Sequence, residues 1–206
     1  MLRPPIEEIV RAGLAFNPRL PMGVEDIRSS IVILFDDLER LGVDYVLVGG
    51  VALLSYVEGR NTQDVDLIVD ASDLARMNWT IEARDQDFAR ADLRGLRVDL
   101  LRGDTLLFSQ VRRLYTTTGS FGGRQVRTAT REGLLLLKMY ALPSLYRQGQ
   151  WARAALYETD ILMLHQGAAI DDEKLLGELA PHVVAADLVE IRRILEEQRG
   201  RRRFGA

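Results

Sequence analysis

The run Val46-Leu47-Val48-Gly49-Gly50, followed 14 residues after the second glycine by Asp64-Val65-Asp66-Leu67, constrains this chain more than any other stretch. It predicts a short buried strand, a glycine turn opening a helix, and a second strand that carries acids. Side chains at i and i+2 of a strand point the same way, so Asp64 and Asp66 project together while Val65, Leu67 and Val69 enter the core. Two carboxylates side by side repel unless a cation lies between them. Hard oxygen ligands suit Mg²⁺ or Mn²⁺, and a glycine turn at a helix start offers backbone N–H groups to phosphate oxygens.

A third acid extends the pattern. Asp99 is centred in Leu96-Arg97-Val98-Asp99-Leu100-Leu101 and points off the face opposite Val98 and Leu100. An acid so placed on a neighbouring strand would complete a two-metal site. In such a site one ion activates an attacking hydroxyl, the other steadies a triphosphate, and Asp99 is a candidate general base. An Asp-x-Asp alone is weak, and so is a strand-Gly-Gly-helix unit alone. Their combination in this order is far more restrictive. The competing explanation is that the acids solvate a sheet edge.

Around this unit the apolar spacing outlines the remaining elements. Four of the six prolines (Pro4, Pro5, Pro18, Pro21) fall in residues 1–22, which read as an arm with a short helix from Ile6 to Ala15. Ile27, Ile31, Leu34, Phe35, Leu38 and Leu41 follow helical spacing, and Gly42 stops that helix. Ser72-Asp73 caps a brief helix. The stretch from Trp79 to Ala91 shows neither period clearly, so the segment between Asp66 and Asp99 looks short and irregular. Leu93-Arg94-Gly95-Leu96 predicts a tight turn into the Asp99 strand. A helix over 105–115, a connector over 116–123 and a last strand over 125–128 follow. From Arg131 onward the pattern is helical: 132–142, 151–165, and 172–197 with a break at Pro181. Trp151 and Tyr157, at helical spacing, are expected in the core. The organisation predicted is an arm (1–22), an α/β (α+β) core with a mixed β-sheet flanked by helices (23–130), and a C-terminal helical annex (131–206).

Composition excludes several alternatives. There is no cysteine, so disulfides and thiolate zinc sites are out. The two histidines, His165 and His182, lack ligand spacing. Apolar stretches fall far short of a membrane span, and the first residues do not have the pattern of a signal peptide, so a cytoplasmic location with no membrane partner is expected. The net charge is −3, yet Arg199, Arg201, Arg202 and Arg203 face no acid in the last eight residues, leaving −7 for the rest. An acidic body argues against general nucleic-acid binding. The tail is either a solvated terminus or a contact for RNA or an acidic protein. Of 27 basic residues only Lys138 and Lys174 are lysines. Lys138, inside Leu134-Leu135-Leu136-Leu137-Lys138-Met139-Tyr140, is therefore either a snorkelling side chain or a point charge wanted for chemistry.

Val48-Gly49-Gly50-Val51-Ala52 with Arg60-Asn61-Thr62-Gln63-Asp64-Val65-Asp66-Leu67 resembles the signature of DNA-polymerase-β-type nucleotidyltransferases, most of all the small group that includes the AbiEii-type toxins. The likeness continues through Leu137-Lys138-Met139-Tyr140-Ala141-Leu142 and Tyr157-Glu158-Thr159-Asp160-Ile161, and spans about residues 43–165. It implies a nucleotidyltransferase-type sheet. It also implies that Gly49, Gly50 and Ser55 face a triphosphate, and that Asp64, Asp66 and Asp99 hold Mg²⁺ or Mn²⁺ for catalysis. Lys138 would contact phosphate, and Asp160 would position Lys138 or a metal. The implied substrate is an NTP. The acceptor would be RNA, especially a tRNA 3′ end, and an antitoxin protein would be a partner. Protein or small-molecule acceptors stay open. The alternative class is a degenerate nucleotidyltransferase fold that binds nucleotide or protein. A phosphatase with an aspartyl nucleophile ranks lower, because its motif would sit on an early strand that begins the catalytic loop.

Overall fold

The computed structural model describes residues 24–58, 62, 64–84, 88–121 and 124–202. The expected arm with its short helix, Arg60 and Arg203 lie outside the described residues. Contacts divide the chain into two units at Thr130/Arg131.

In the first unit, α1 (Val24–Arg40) leads into β1 (Tyr45–Val48), α2 (Gly49–Leu53), β2 (Val65–Val69) and α3 (Ala71–Leu74). Strands β3 (Thr80–Arg84), β4 (Phe88–Leu93) and β5 (Leu96–Arg102) come next, then α4 (Leu106–Leu114), β6 (Thr116–Phe121) and β7 (Arg124–Ala129). The seven strands form one mixed sheet in the order β3-β4-β5-β2-β1-β7-β6. β1 runs antiparallel to β2 and parallel to β7, and β2 runs parallel to β5. Val46, Leu47, Val65, Leu67, Val98 and Leu100 are all buried. Their transfer from water, at roughly 1.5–3 kcal/mol per large aliphatic side chain, makes these central strands the anchor of the unit.

Two expectations are corrected here. The segment between Asp66 and Asp99 is not irregular: it holds α3 and the antiparallel β3-β4-β5 meander. All five residues of β3 are exposed, so this edge strand has no apolar face for a pattern to reveal. The described part of the expected connector, Thr116–Phe121, is an edge strand, β6, paired with β7 from Thr116↔Ala129 to Phe121↔Arg124. Its run of threonines is β-branched and suits a strand, although none of residues 116–120 is buried. The Arg94-Gly95 turn is as expected, with φ of 55° and 83° at its two central residues, the pairing a two-residue hairpin requires.

The second unit contains α5 (Arg131–Arg147), α6 (Trp151–His165), α7 (Asp172–Leu179), a 3-10 turn over Ala180–His182 that includes Pro181, and α8 (Ala185–Arg202). A buried His165–Asp172 pair, joined by the exposed Arg199, ties three of its helices. His165 Nε2 lies 2.7 Å from Asp172 Oδ1, and His165 Nδ1 lies 2.7 Å from the Ile161 carbonyl. Arg199 donates to Asp172 Oδ2 from Nε at 3.0 Å and Nη2 at 2.6 Å. Thus Arg199, the first arginine of the basic tail, is an ion-pair partner within the helical unit, its side chain half exposed. Trp151 is not a core residue: at 65% exposure it starts α6 with its ring edge-on to Tyr146. Among the described residues no helix is long and apolar enough to cross a membrane.

Candidate functional site

The glycine pair and the acids of the first unit interlock atom by atom. Antiparallel pairing sets Val48 opposite Asp66 and so brings the Asp66 side chain against the turn that leaves β1. Gly49 adopts φ +62°, and a Cβ there would overlap the Asp66 carboxylate. A Cβ on Gly50 would overlap the side chain of Thr62. Thr62 is buried and donates from Oγ1 to the Asp64 carbonyl at 3.1 Å. The spacing of the motif therefore has a steric origin: each glycine clears room for one residue of the second half.

The helix start differs from a phosphate cradle. α2 is only five residues long and has no side-chain cap, and the Gly50 N–H donates to Asp66 Oδ2 at 3.3 Å. Ser55 lies in the turn after α2, half-buried, with its N–H on the Ala52 carbonyl.

Register then builds a charged row across the sheet. Asp66 on β2 is the direct partner of Asp99 on β5, and Asp99 is the direct partner of Arg90 on β4. Lateral partners share a face, so these three side chains stand together. Asp64 sits one residue ahead of β2, half-buried, while Val65 beside it is fully buried. Arg90 grips Asp99 with a two-pronged fork, Nε to Oδ1 at 2.7 Å and Nη2 to Oδ2 at 2.8 Å. The Arg90 guanidinium also lies 5.3 Å from the Phe88 ring centroid. The hydrogen bond to Asp99 and the charges of Asp99, Asp64 and Glu82 hold Arg90 above its ordinary pKa, against a smaller opposing effect of burial. A second pair joins Arg97 Nη2 to Asp64 Oδ2 at 2.8 Å.

The two pairs differ in worth. The Arg97 and Asp64 side chains are 38% and 24% exposed, so water screens them and the pair is worth roughly 0–1 kcal/mol. Asp99 is only 5% exposed, and stripping a buried charge of its partner costs about 3–5 kcal/mol. Asp92 joins the row, two residues after Arg90 on the same face and directly opposite Arg97, so four carboxylates against two guanidiniums leave it with two negative charges.

That geometry tests the expected metal. The donor set has the right chemistry, since carboxylate oxygens are what Mg²⁺ and Mn²⁺ take. Asp64 and Asp66 fit one divalent ion, because the screened Arg97 contact is cheaply exchanged. Asp99 is less available than the other two, because Arg90 forks both of its oxygens at 2.7 and 2.8 Å and its side chain is only 5% exposed. Among the described residues no three acids or histidines converge as an ion-binding group.

Lys138 and Asp160 meet in the helical unit. Lys138 Nζ on α5 is 2.7 Å from Asp160 Oδ2 on α6, both side chains buried, and it lies 4.0 Å from the Tyr157 ring centroid. The pair, with an aromatic face against the ammonium, is a buried ion pair completed by a cation–π contact.

An antigenic nucleotidyltransferase-like protein from Paracoccidioides brasiliensis superposes with a TM-score of 0.50 at 18% identity, over 82% of this chain and 93% of that one. The fold is of the nucleotidyltransferase type. ANT(2")-Ia, solved in complex with adenylyl-2"-tobramycin, gives a TM-score of 0.48 at 13% identity over 82% of this chain and 98% of that one. No family model matches the chain, and no curated protein matches it.

Sequence reasoning missed Arg90 and Arg97 as members of the row. Arg97 stands two residues before Asp99 and so shares its face, a signal present in the alternation of β5. Arg90 had a fainter one, the alternating Phe88-Ala89-Arg90-Ala91-Asp92-Leu93 that becomes β4.

Proposed function

We propose that this chain is a nucleotidyltransferase that moves a nucleoside monophosphate from an NTP to an acceptor hydroxyl, with Mg²⁺ or Mn²⁺ as cofactor. The observation that carries this reading is the in-register pair Asp66 and Asp99 set beside a glycine turn cut to fit the Asp66 carboxylate. Asp64 and Asp66 would hold the ion, which supplies charge neutralisation for a triphosphate and lowers the pKa of an attacking hydroxyl. The two glycines and Thr62 hold Asp64 and Asp66 in place. The motif resemblance favours a toxin-type enzyme of the AbiEii-like group acting on RNA, with a tRNA 3′ end as acceptor and an antitoxin as partner.

A second reading has an observation of its own. The fork of Arg90 on Asp99 occupies the acid that would complete a two-metal site, which favours a binding module on a retained fold.

Thermal stability with each NTP, with and without Mg²⁺, separates the readings. A ligand at about 100 times its dissociation constant adds roughly 2.7 kcal/mol to the folded state. A rise that needs Mg²⁺ and disappears in the Asp64→Asn/Asp66→Asn double variant supports the transferase, and then identifies the NTP to offer with labelled RNA. A metal-independent rise, or none, favours the binding module.

A further inference from the structure

The row of charges on β2, β5 and β4 contains its own cation. Arg90 and Asp99 are direct cross-strand partners, and both Asp99 oxygens lie at hydrogen-bond distance from the Arg90 fork. The carboxylate is 5% exposed and the guanidinium 31%, so the pair presents its positive end to solvent and its negative end to the protein. Phe88, two residues before Arg90 on the same face, adds an aromatic contact at 5.3 Å. Register, fork and ring all hold the guanidinium where it is. Arg97 is different: it touches one oxygen of a more exposed carboxylate, Asp64, through one nitrogen.

We propose that Arg90 takes the place of a second metal ion at this site, so that the row binds a single divalent cation through Asp64 and Asp66, with Asp99 serving to hold Arg90. This deepens the nucleotidyltransferase reading and rests on it for the ligand that follows the metal. A divalent ion arriving at Asp64 and Asp66 brings the row, Asp92 included, from two negative charges to neutrality. Charge balance then disfavours a second ion, which would face a row already neutralised by the first. A guanidinium has five N–H donors and the fork uses two of them, so Arg90 keeps donors for an oxyanion beside the metal. A fixed guanidinium, unlike an ion, neither exchanges nor depends on the metal concentration.

The test counts Mn²⁺, added alone, by the loss of its free-ion electron paramagnetic resonance signal. The central variant is Asp99→Asn with Arg90→Gln, which removes one charge of each sign and leaves the row's net charge unchanged. The wild type is expected to bind one Mn²⁺ and to lose it in Asp64→Asn/Asp66→Asn. The charge-neutral double variant is expected to keep that affinity within about two-fold, because Asp99 is not a ligand. Arg90→Gln alone, which bares the Asp99 carboxylate, is expected to gain a second ion or bind roughly ten-fold tighter. Circular dichroism confirms that each variant is folded, and Arg90→Lys keeps the cation should the glutamine variant fail. Two ions in the wild type, or a ten-fold loss in the charge-neutral double variant, would overturn the proposal while leaving the transferase reading standing. No ion in the wild type but one in Arg90→Gln overturns the proposal, because the wild-type row would then hold no ion at Asp64 and Asp66. No ion in either overturns both.

Discussion

Gly49 and Asp66 occupy the same small volume: the hydrogen of one residue leaves room for the carboxylate of the other. The first half of the sequence motif is thereby fixed by the second. A substitution at the turn is felt at the acid, and the two residues are expected to behave as one unit in stability measurements.

Gly49→Ala is expected to destabilise the chain by about 3 kcal/mol or more, combining left-handed strain with overlap on Asp66. Gly42 is the internal control. Its φ is +61° but nothing lies within 4 Å of an added Cβ, so Gly42→Ala should cost only about 1 kcal/mol. Urea unfolding of both variants isolates the overlap. Adding Asp66→Ala to Gly49→Ala should recover part of the loss, and a strictly additive pair would contradict the interlock.

The buried Lys138–Asp160 pair predicts strong non-additivity in the helical unit. Asp160→Asn leaves an ammonium without its charge partner and should cost about 3–5 kcal/mol. Lys138→Met together with Asp160→Leu removes both charges and should cost less than Asp160→Asn alone. A double variant less stable than that single one would mean the two carry independent roles.

Asp172 predicts a particular acid limb. Burial would raise its carboxyl, but the hydrogen bonds from His165 and Arg199 outweigh that and hold it below its ordinary 3.8. A depressed folded value contributes stability that is complete above the unfolded pKa and is lost as the pH falls through the folded one. The wild type should therefore lose stability below about pH 3.8 through this group. Asp172→Asn should be about 2–3 kcal/mol less stable near neutrality and lack that component of the acid decline. Urea midpoints between pH 7 and pH 2 give the comparison, and parallel curves would remove Asp172 from the account.

Arg131 closes the end of α6. Its Nη1 donates to the Leu164 carbonyl at 2.8 Å and the Gln166 carbonyl at 2.9 Å, two acceptors the helix itself leaves unmet. Arg131→Ala should cost about 1–2 kcal/mol, and Arg131→Lys should restore only part of it, since one ammonium reproduces the reach of a guanidinium poorly. Thermal unfolding of the two variants decides.

What the sequence made legible was whatever carried a period or a turn. β1 is a continuous buried apolar run, β2 and β5 set buried apolar residues on either side of their acids, Gly42 and Gly95 have positive φ, and Pro181 sits in the turn between two helices. Their apolar faces and backbone demands are written locally. β3 escaped because all five of its residues face solvent, and β6 because a strand of threonines at a sheet edge needs no buried face. In the site, Asp66 and Asp99 could be placed on strands, but their adjacency depends on the chain running out from β2 to the edge strand β3 and returning through β4, so that β5 lies parallel beside β2. The arginine partners were hidden for another reason. In a chain whose cations are nearly all arginine, no single arginine stands out, and cross-strand register alone selects Arg90.

The parallel seam between β2 and β5 also couples the site to the folding of the whole sheet. Asp66 and Asp99 are brought together by the long-range pairing of β5 with β2, so no local hairpin can hold the pair on its own. Any opening that parts this seam abolishes the acid row in the same event. Exchange of the β2 and β5 amides with solvent deuterium would then report the lifetime of the site itself, and a fraying edge strand would leave that lifetime untouched.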